Sequence, residues 1–330
     1  MGVKIKDLVH PIEIQVDKLS GKSVAVDGFN WILQFLTTIR LADGSLLTDR
    51  KGRITSHLDG LFFRLAFLLS NGVSPVFVLD GKAPKLKRQT LIERGNMRRE
   101  AMEMAETAVT QEDKLKYLKR AASVNDDIID STKRLLDLMG IPVVQAPAEG
   151  ESEAAFLNKE GLVYAVASQD YDSLLFGCRR LVRNLNITGR RKAQGKGFFV
   201  KVNPELILLD DLLSENGINH DQLVALALLV GTDYNGGVKG IGPKKALAIV
   251  KKDPVEKILS SYDFDTENNI REVFDYFKHP DVVPIEKVPV KEPDISALRK
   301  FLVDEHDFSS SRFESVVEKL KRLDNSLTRF

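Results

Sequence analysis

Two aspartates lie one residue apart in the stretch "YAVASQDYD", directly after an apolar run. The run from Tyr164 to Ser168 is typical of a buried strand, and Asp170 and Asp172 follow it. Carboxylates this close repel each other, and a dry environment raises their pKa values further. The pair is tolerable if it is exposed to solvent or if it holds a cation. A cation site would need further acids that also follow directly after buried strands or helices.

Five further acids follow predicted strands or helices in a similar way. Asp27 ends "SVAVD", Asp80 ends "SPVFVLD", Glu149 and Glu151 open a helix after "IPVVQAP", and Asp233 follows an apolar helix. Each alone has an ordinary explanation, because Asp caps helices and forms turns, and Glu in a first turn suits the helix dipole. Together they form an all-oxygen ligand set, which suits hard cations such as Mg²⁺ or Mn²⁺ rather than zinc.

So many carboxylates suggest two metal ions, roughly 4 Å apart, as in phosphodiester cleavage. One ion lowers the pKa of a bound water so that hydroxide attacks phosphorus, and the other stabilises the leaving oxygen. The carboxylates hold the ions and need not transfer protons. A phosphatase with Asp27 as its nucleophile is a remote alternative, which predicts a covalent aspartyl-phosphate and no use for nearby cations.

Apolar runs alternate with helical segments, and this order predicts an α/β fold with a central, mainly parallel sheet flanked by helices. The predicted strands lie near residues 23–27, 74–80, 141–147 and 164–168. Ligands bind beyond the carboxyl ends of such strands, where the acids fall. Residues 179–202 predict a hairpin-like pair of strands around a basic loop. After Pro204 the chain is mostly helical, with an extended Pro- and Val-rich stretch at residues 279–294.

Composition describes a globular protein without a membrane segment. The 330 residues are 43% hydrophobic and 29% charged with a net charge of +1, so local basic patches must meet any polyanion. Cys178 is the only cysteine, which excludes an internal disulfide and argues against a cysteine-based zinc site. Because no apolar run is long enough to span a membrane and no signal peptide is recognisable, we expect a cytoplasmic protein.

A basic segment begins directly after Asp80. Residues 82–99 hold seven Lys or Arg against the single acid Glu93, and the ordinary meaning of such a run is a solvated helix face. Lys87 and Arg94 are seven residues apart, so they share one face of a helix and could grip a phosphate beside the ions. Poor apolar periodicity through residue 120 predicts exposed helices that do not lie flat on a core.

A second basic element, "GGVKGIGPKKA", runs from Gly236 to Ala246. It is a glycine turn that leads into a helix beginning at Pro243, with Lys244 and Lys245 in the first turn. Backbone N–H groups at such a helix start bind phosphate oxygens, so the element resembles a helix–hairpin–helix motif that holds a DNA backbone. The alternative is an ordinary packing corner between two helices.

Taken together, the chain resembles the flap endonucleases of the structure-specific 5′ nuclease superfamily, in their archaeal form. The matching stretches are "MGVKIKDL", "VAVDGFNWILQFL", "GRITSHLDGLFFR", "PVFVLDGKAPKLK", "LLDLMGIPVVQAPAEGESEAA", "SQDYDSLLFG" and "LVGTDYNGGVKGIGPKKAL". They span nearly the whole chain in the family order. The resemblance implies a Mg²⁺-dependent enzyme that cuts 5′ flaps where single-stranded DNA meets duplex, with some 5′→3′ exonuclease activity. Its settings would be Okazaki-fragment maturation and long-patch base excision repair.

The resemblance implies roles for individual residues. The first metal cluster would be Asp27, Asp80, Glu149 and Glu151, and the second Asp170, Asp172 and Asp233. They would hold two Mg²⁺ ions, which Mn²⁺ could replace, with Glu151 near both. Lys87 and Arg94 match the basic pair at the scissile phosphate, and Gly2 matches an amino terminus that lies near the active site.

The resemblance also implies where branched DNA with a 5′ flap would bind. Residues 82–122 match a helical arch through which the single-stranded flap passes, and residues 223–252 match a helix–two-turn–helix that grips duplex with a bound K⁺. The expected DNA contacts are Lys82, Arg98, Lys239, Gly240, Gly242, Lys244 and Lys245. We expect one nuclease domain over residues 1–330, with an N-terminal region at 1–100, an internal region at 123–255 and a C-terminal helical region at 256–330.

The sequence departs from the family pattern in three places. The family often carries an aromatic residue six positions after the first aspartate, to stack on a base, and here that residue is Leu33. Either Trp31 or Phe35 substitutes for it, or the stacking role is absent. An additional acid, Glu153, is predicted to be a surface residue.

The C-terminal "DNSLTRF" keeps only Leu327 and Phe330 of the family's sliding-clamp motif, with Asp324 where Gln is usual. A sliding clamp is therefore an expected partner through these two residues, and we expect a monomer. A dedicated 5′ exonuclease, a Holliday-junction resolvase of the same superfamily and a non-catalytic DNA-binding protein are alternatives. Chain length and the single arch segment argue against the first two, and the complete set of acids argues against the third.

Overall fold

A seven-stranded sheet forms the centre of the protein in a computed structural model that describes residues 2–187, 190–192, 199–289 and 291–327. The strands of this sheet are β1 (Ile12–Glu13), β2 (Ser23–Asp27), β3 (Ser74–Leu79), β4 (Val143–Gln145), β5 (Ala165–Ala167), β6 (Arg180–Arg183) and β9 (Glu205–Leu208). A separate antiparallel ribbon consists of β7 (Arg190–Lys192) and β8 (Phe199–Lys201).

The strand order is β1-β9-β6-β5-β2-β3-β4, and the five strands from β6 to β4 are parallel. Strand β9 runs antiparallel to both β6 and β1 at one edge. The prediction of an α/β fold with a mainly parallel sheet is therefore confirmed. Because β2, β3 and β5 are parallel neighbours, their carboxyl ends meet at the same edge, and the acids at those ends meet there as well.

Helices cover both faces of the sheet. In chain order they are α1 (Gly28–Thr38), α2 (Ser56–Ser70), α3 (Arg88–Thr107), α4 (Gln111–Arg120), α5 (Asp126–Leu138), α6 (Gly150–Lys159), α7 (Asp172–Leu175), α8 (Leu209–Asn216), α9 (His220–Val230), α10 (Pro243–Lys252), α11 (Val255–Ser261), α12 (Ile270–Lys278), α13 (Ile295–Arg299) and α14 (Ser310–Leu327). No helix within the described ranges is long and apolar enough to cross a membrane.

Side chains of one strand alternate between two hydrophobic cores, as the pleat of a strand requires. Val24 and Val26 of β2 pack with α1, α2, α5 and α14, whereas Ala25 packs with α6, α9 and α12 on the other face. Both faces of the parallel strands are thus buried, which explains why they are short continuous apolar runs in the sequence.

The segment after β3 forms the exposed helices that the sequence predicts. A short turn at Lys85–Lys87 leads into α3, and α3 and α4 pack against each other. Only Ala101 and Ala105 of α3 are buried, and α4 buries none of its residues. We call α3 and α4 the arch. Its second helix is fixed to the body by Arg40, whose Nη2 donates to the carbonyl of Leu118 over 3.1 Å.

The strand prediction for residues 179–202 is confirmed only in part. Backbone pairing of β7 with β8 gives the expected hairpin-like ribbon, while residues 188–189 and 193–198 lie outside the described residues. The preceding β6 instead joins the main sheet between β5 and β9. Its two apolar residues, Leu181 and Val182, are fully buried there, which favours the sheet over an exposed hairpin.

The prediction of a surface position for Glu153 is wrong. Its side chain is completely buried in α6, because the extended stretch after α12 lies over this helix. Oε2 of Glu153 accepts a hydrogen bond of 2.9 Å from the N–H of Val283, which fixes that stretch. The stretch has no helix or strand between residues 280 and 289, as predicted.

Candidate active site

Asp27 and Asp80 are positioned by the ends of β2 and β3. Asp27 also caps α1, since its Oδ1 accepts a hydrogen bond of 3.1 Å from the N–H of Asn30. Asp80 Oδ1 accepts a 2.6 Å bond from the N–H of Gly150, the first residue of α6. A Cβ at Gly150 would lie only 2.7 Å from that oxygen, so glycine permits this close approach. The helix-cap explanation of Asp27 is therefore correct, and the residue still lies at the edge where the acids meet.

Asp170 and Asp172 are held by the amino terminus of the chain. The backbone N–H of Val3 donates to Asp172 Oδ1 over 2.6 Å, and the nitrogen of Gly2 lies 3.3 Å from Asp170 Oδ1. A Cβ at Gly2 would lie 2.9 Å from the Cβ of Asp170, so a larger residue has no room there. The amino terminus thus lies in the site, as the resemblance implied.

Ser168 and Asn30 connect these acids, and sequence reasoning missed both residues. Oγ of Ser168 lies 2.9 Å from Asp27 Oδ2 and 3.2 Å from Glu151 Oε1. Nδ2 of Asn30 donates to Asp170 Oδ2 over 3.3 Å. The signal that could have found them is position, because each lies two or three residues from a predicted ligand at a strand end.

The charges of the acids act on one another across both predicted clusters. Burial, with the charge of Asp80 in addition, raises the pKa of Asp27 to about 7. Burial and the charge of Asp233 raise the pKa of Asp172 to about 7. Burial raises the pKa of Glu151 well above its ordinary value, and the charges of Asp172 and Asp27 raise it further. Acids that are up to 206 positions apart in sequence therefore share one small region of space.

Lys87 and Arg94 lie in this region and bind acids of the predicted site directly. Lys87 Nζ bonds to Glu149 Oε1 and lies 3.0 Å from Asp233 Oδ2, and Arg94 Nη2 lies 2.5 Å from Asp233 Oδ1. Burial alone would raise the pKa of Asp233, but Lys87, the amino terminus and Arg94 together hold it below its ordinary value. The prediction that both cations lie on one helical face is wrong for Lys87, which ends the turn before α3, whereas Arg94 lies on α3. Both nevertheless contact Asp233 at the base of the arch, and in this state they neutralise carboxylates.

The fit of these acids to metal ions depends on the other contacts that their oxygens make. Among the described residues, no group of three His, Cys, Asp or Glu side chains is placed to hold an ion as it stands. The contacts explain this, because Lys87 and Arg94 occupy oxygens of Glu149 and Asp233, while backbone N–H groups occupy Asp80 and Asp172. The donor chemistry nevertheless fits hard cations. Seven carboxylates accompany two cationic side chains at this edge. Burial, and after it the charges of neighbouring acids, raises the pKa values of Asp27, Glu151 and Asp172, and a bound cation would relieve both effects.

The suggestion that Trp31 or Phe35 could stack on a base is wrong. Trp31 is 1% exposed and Phe35 5% exposed, and their rings pack edge to face at 6.2 Å. They are four residues apart and so lie on the face of α1 that packs into the core. Leu33 is half-buried, and the structure offers no aromatic ring at that position.

The expected DNA contacts lie at exposed positions. Lys82 follows Asp80 by two residues, and Arg98 lies on α3 one turn beyond Arg94. The remaining contacts cluster at the start of α10, and they are Lys239, Gly240, Gly242, Lys244 and Lys245, all exposed. Of the predicted clamp contacts, Leu327 is the last residue of α14, and Phe330 lies outside the described residues.

Comparison with known proteins identifies the family. Residues 1–101 match the XPG N-terminal domain, and residues 140–233 match the XPG I-region. The chain is 49% identical to flap endonuclease 1 of Pyrococcus horikoshii over 328 residues, which cover 98% of this chain and 94% of that protein. The chain belongs to the flap endonuclease family.

Solved structures support the flap endonuclease assignment. Flap endonuclease-1 from Methanococcus jannaschii matches with a TM-score of 0.78 and 40% identity, covering 98% of each chain. The catalytic core of Rad2 in complex with DNA substrate matches with a TM-score of 0.70 and 25% identity, covering 96% of this chain and 97% of that one.

The two XPG matches also contain all nine predicted metal and phosphate residues. The N-terminal match holds Asp27, Asp80, Lys87 and Arg94, and the I-region match holds Glu149, Glu151, Asp170, Asp172 and Asp233.

Proposed function

We propose that this flap endonuclease hydrolyses a DNA phosphodiester at the point where a single-stranded 5′ flap leaves the duplex, and that it also degrades DNA from 5′ ends. Membership of the family makes it a structure-specific nuclease, a hydrolase that uses divalent metal ions. The observation that carries the proposal is the convergence of acids from three adjacent parallel strands with Lys87 and Arg94 at one edge of the sheet.

The acids are proposed to hold two Mg²⁺ ions, for which Mn²⁺ could substitute. The first group is Asp27, Asp80, Glu149 and Glu151, and the second is Asp170, Asp172 and Asp233. When bound, the ions supply Lewis-acid catalysis of phosphodiester hydrolysis.

The neighbours of the acids keep their carboxylates in place before any substrate arrives. Ser168 orients Asp27, Asn30 orients Asp170, and backbone N–H groups orient Asp80 and Asp172. A site that is organised in advance does not have to spend binding energy on ordering these side chains.

Lys87 and Arg94 are proposed to exchange their carboxylate partners for the scissile phosphate. A guanidinium suits the geometry of a phosphate, and an ammonium supplies a second positive charge beside it. In the free protein both cations are paired with Glu149 or Asp233, so their charged groups already lie among the acids where the phosphate is proposed to bind. As negative charge grows on the phosphate in the transition state, the same two groups stabilise it.

The start of α10 is proposed to grip the backbone of the duplex. Gly242 precedes Pro243 at a helix start without any side-chain cap, so the free N–H groups can bind phosphate, and Lys244 and Lys245 add positive charge. We place the proposed K⁺ in the same loop. Nζ of Lys245 lies 3.2 Å from the carbonyl of Gly240, so this loop already presents a backbone oxygen to a cation.

The arch is proposed to surround the single-stranded flap. The setting would be Okazaki-fragment maturation and base excision repair in the cytoplasm, with the whole chain acting as one nuclease domain and as a monomer. Leu327 and Phe330 are proposed to contact a sliding clamp, which the retained part of the motif in "DNSLTRF" supports.

The proposed activity is tested with end-labelled flap, nicked and blunt duplex DNA, with and without Mg²⁺. We expect one dominant cut at the flap junction, weaker release of nucleotides from the nick, and no product without the ion. Cleavage spread evenly along single strands, or cleavage unchanged by chelation of Mg²⁺, would contradict the proposal.

A further inference from the structure

A short segment between α11 and α12 joins the base of the arch to the loop that carries Asp233. Nδ2 of Asn268, which lies in this segment, donates to the carbonyl of Leu86 over 2.7 Å and to the carbonyl of Tyr234 over 2.9 Å. Leu86 directly precedes Lys87, and Tyr234 directly follows Asp233. One amide group therefore connects the chain neighbours of two residues that meet in the proposed active site. We call these two bonds the Asn268 bridge.

The chemistry of the bridge requires an uncharged amide at residue 268. Both partners are carbonyl oxygens, which only accept, so the NH₂ group of Asn268 faces them and each of its hydrogens supplies one bond. A carboxylate or an apolar side chain at this position could supply neither bond. Because both partners are backbone atoms, the bridge does not depend on the charge of any side chain in the site.

Further hydrogen bonds fix the segment that carries Asn268. Oγ1 of Thr266 donates to the carbonyl of Tyr234 over 3.2 Å and accepts a bond of 3.0 Å from the N–H of Asn268. The N–H of Gly236 donates to the carbonyl of Asp265 over 2.6 Å. A Cβ at Gly236 would lie 2.6 Å from Oδ2 of Asp265, so glycine permits this close approach. The Asn268 bridge therefore extends from an anchored segment.

The bridge is needed because the ion pair beside it is proposed to break. In the free protein Nζ of Lys87 lies 3.0 Å from Oδ2 of Asp233, and this contact also holds the arch to the loop. When Lys87 exchanges its carboxylate partners for the scissile phosphate, that contact is lost. The two bonds of Asn268 involve no charged group, so they remain and keep Leu86 beside the loop.

Arg94 is held to the same loop by a different side chain. Oγ1 of Thr90, four residues before Arg94 on α3, donates to the carbonyl of Asp233 over 2.6 Å. Helix α3 is thus anchored one turn before Arg94 without help from Asn268. The Asn268 bridge lies closer in the chain to Lys87, which ends the turn before α3. The two cations are therefore positioned independently.

We propose that Asn268 is a positioning residue that keeps Lys87 at the reacting phosphate after its ion pairs have broken. The inference rests on the proposed role of Lys87 in flap cleavage and adds a residue through which that role depends on the fold. A misplacement of about 1 Å near a reacting group can cost about 10²-fold in rate. Loss of the bridge therefore slows the chemical step more than it weakens DNA binding.

The test measures kcat and KM of Asn268→Ala on flap DNA, alone and combined with Lys87→Ala or Arg94→Ala. We expect Asn268→Ala to lower kcat about tenfold with little change in KM, because Lys87 acts mainly on charge that develops in the transition state. Combined with Lys87→Ala, the substitution should cost less than about twofold, because the group that it positions is gone. Combined with Arg94→Ala, it should still cost about tenfold, because the two effects are independent.

A second variant and a matched control separate positioning from general loss of stability. Asn268→Leu has a side chain of similar size that cannot donate, so it should lose as much kcat as Asn268→Ala. The control is Asn269→Ala, because Asn269 is exposed and caps α12 by accepting a bond from the N–H of Arg271. It should unfold at a lower denaturant concentration and keep a normal kcat.

Three results would overturn the inference. They are an equal loss of kcat in Asn269→Ala, no loss in Asn268→Ala and Asn268→Leu, and a cost of Asn268→Ala that does not disappear specifically with Lys87→Ala. If Lys87→Ala itself left kcat unchanged, the proposed role of Lys87 in cleavage would fail instead, so the two failures are distinguishable.

Discussion

Replacing Asp172 by Asn is expected to lower the rate of flap cleavage by about 10³-fold or more, equivalent to about 4 kcal/mol, while flap DNA still binds. The side chain of Asn keeps an oxygen that can accept the 2.6 Å bond from Val3, so the amino terminus stays in place. The substitution removes one negative charge from the proposed second metal group. Single-turnover cleavage in saturating Mg²⁺ measures the rate, and binding without Mg²⁺ measures the affinity.

Asp210→Asn is the matched control, because Asp210 is exposed on the first turn of α8, away from the strand-end acids. It should cleave at the normal rate. Unfolding in denaturant should show that both variants are folded. Full activity of Asp172→Asn would remove this residue from the proposed ligand set and would weaken the assignment of the second ion.

Replacing Arg94 by Ala is expected to lower kcat by about 10²-fold, with a smaller effect on KM. Arg94 lies 2.5 Å from Asp233 and is proposed to move onto the scissile phosphate, where it stabilises charge that develops only in the transition state. Removal of one such preorganised donor typically costs about 10²–10³ in kcat. Arg94→Lys should recover part of the loss, because it restores the charge without the planar geometry.

Arg99→Ala is the control on the same helix. Arg99 is exposed, and its Nη2 donates to Asn96 Oδ1 over 3.5 Å, so its removal tests the general loss of arch charge. Its kcat should stay within the normal range. If Arg94→Ala raised KM and left kcat unchanged, Arg94 would be a simple phosphate-binding residue, and Lys87 alone would remain as the cation at the reacting group.

The acids of the site could be predicted from sequence because their positions depend on a simple rule. Parallel strands of one sheet place the residues at their carboxyl ends along a single edge, so Asp27, Asp80 and Asp170 were recognisable as strand-end residues before their distances were known. The start of the helix at Pro243 could also be predicted from sequence, because proline in the first turn of a helix, directly after a glycine, is a local signal.

Residues whose placement depends on distant parts of the chain could not be predicted. Glu153 looked like a surface residue because helix position alone does not reveal the stretch from residue 280 onward, which covers it. Trp31 and Phe35 looked available for stacking, although their side chains pack into the core. Ser168 carries no sequence signal of its own, since serine after an apolar run is common and its role comes from two acids on different elements.

The ion pairs that Lys87 and Arg94 form with acids could not be predicted from the sequence either. Periodicity predicted both cations on one helical face, but the partner of Arg94 lies 139 positions away in sequence. The fold brings Asp233, at the end of α9, against the base of the arch. Only the tertiary structure therefore reveals that these two cations neutralise acids of the site in the free protein.

The most direct test of the account is the number of Mn²⁺ ions that the protein binds at saturation, counted by electron paramagnetic resonance of the free ion. The strand-end acids are predicted to bind two ions per chain, and the Asp172→Asn variant fewer. Failure of the unchanged protein to bind Mn²⁺, or an identical count in the variant, would contradict the claim that these carboxylates form the metal centre.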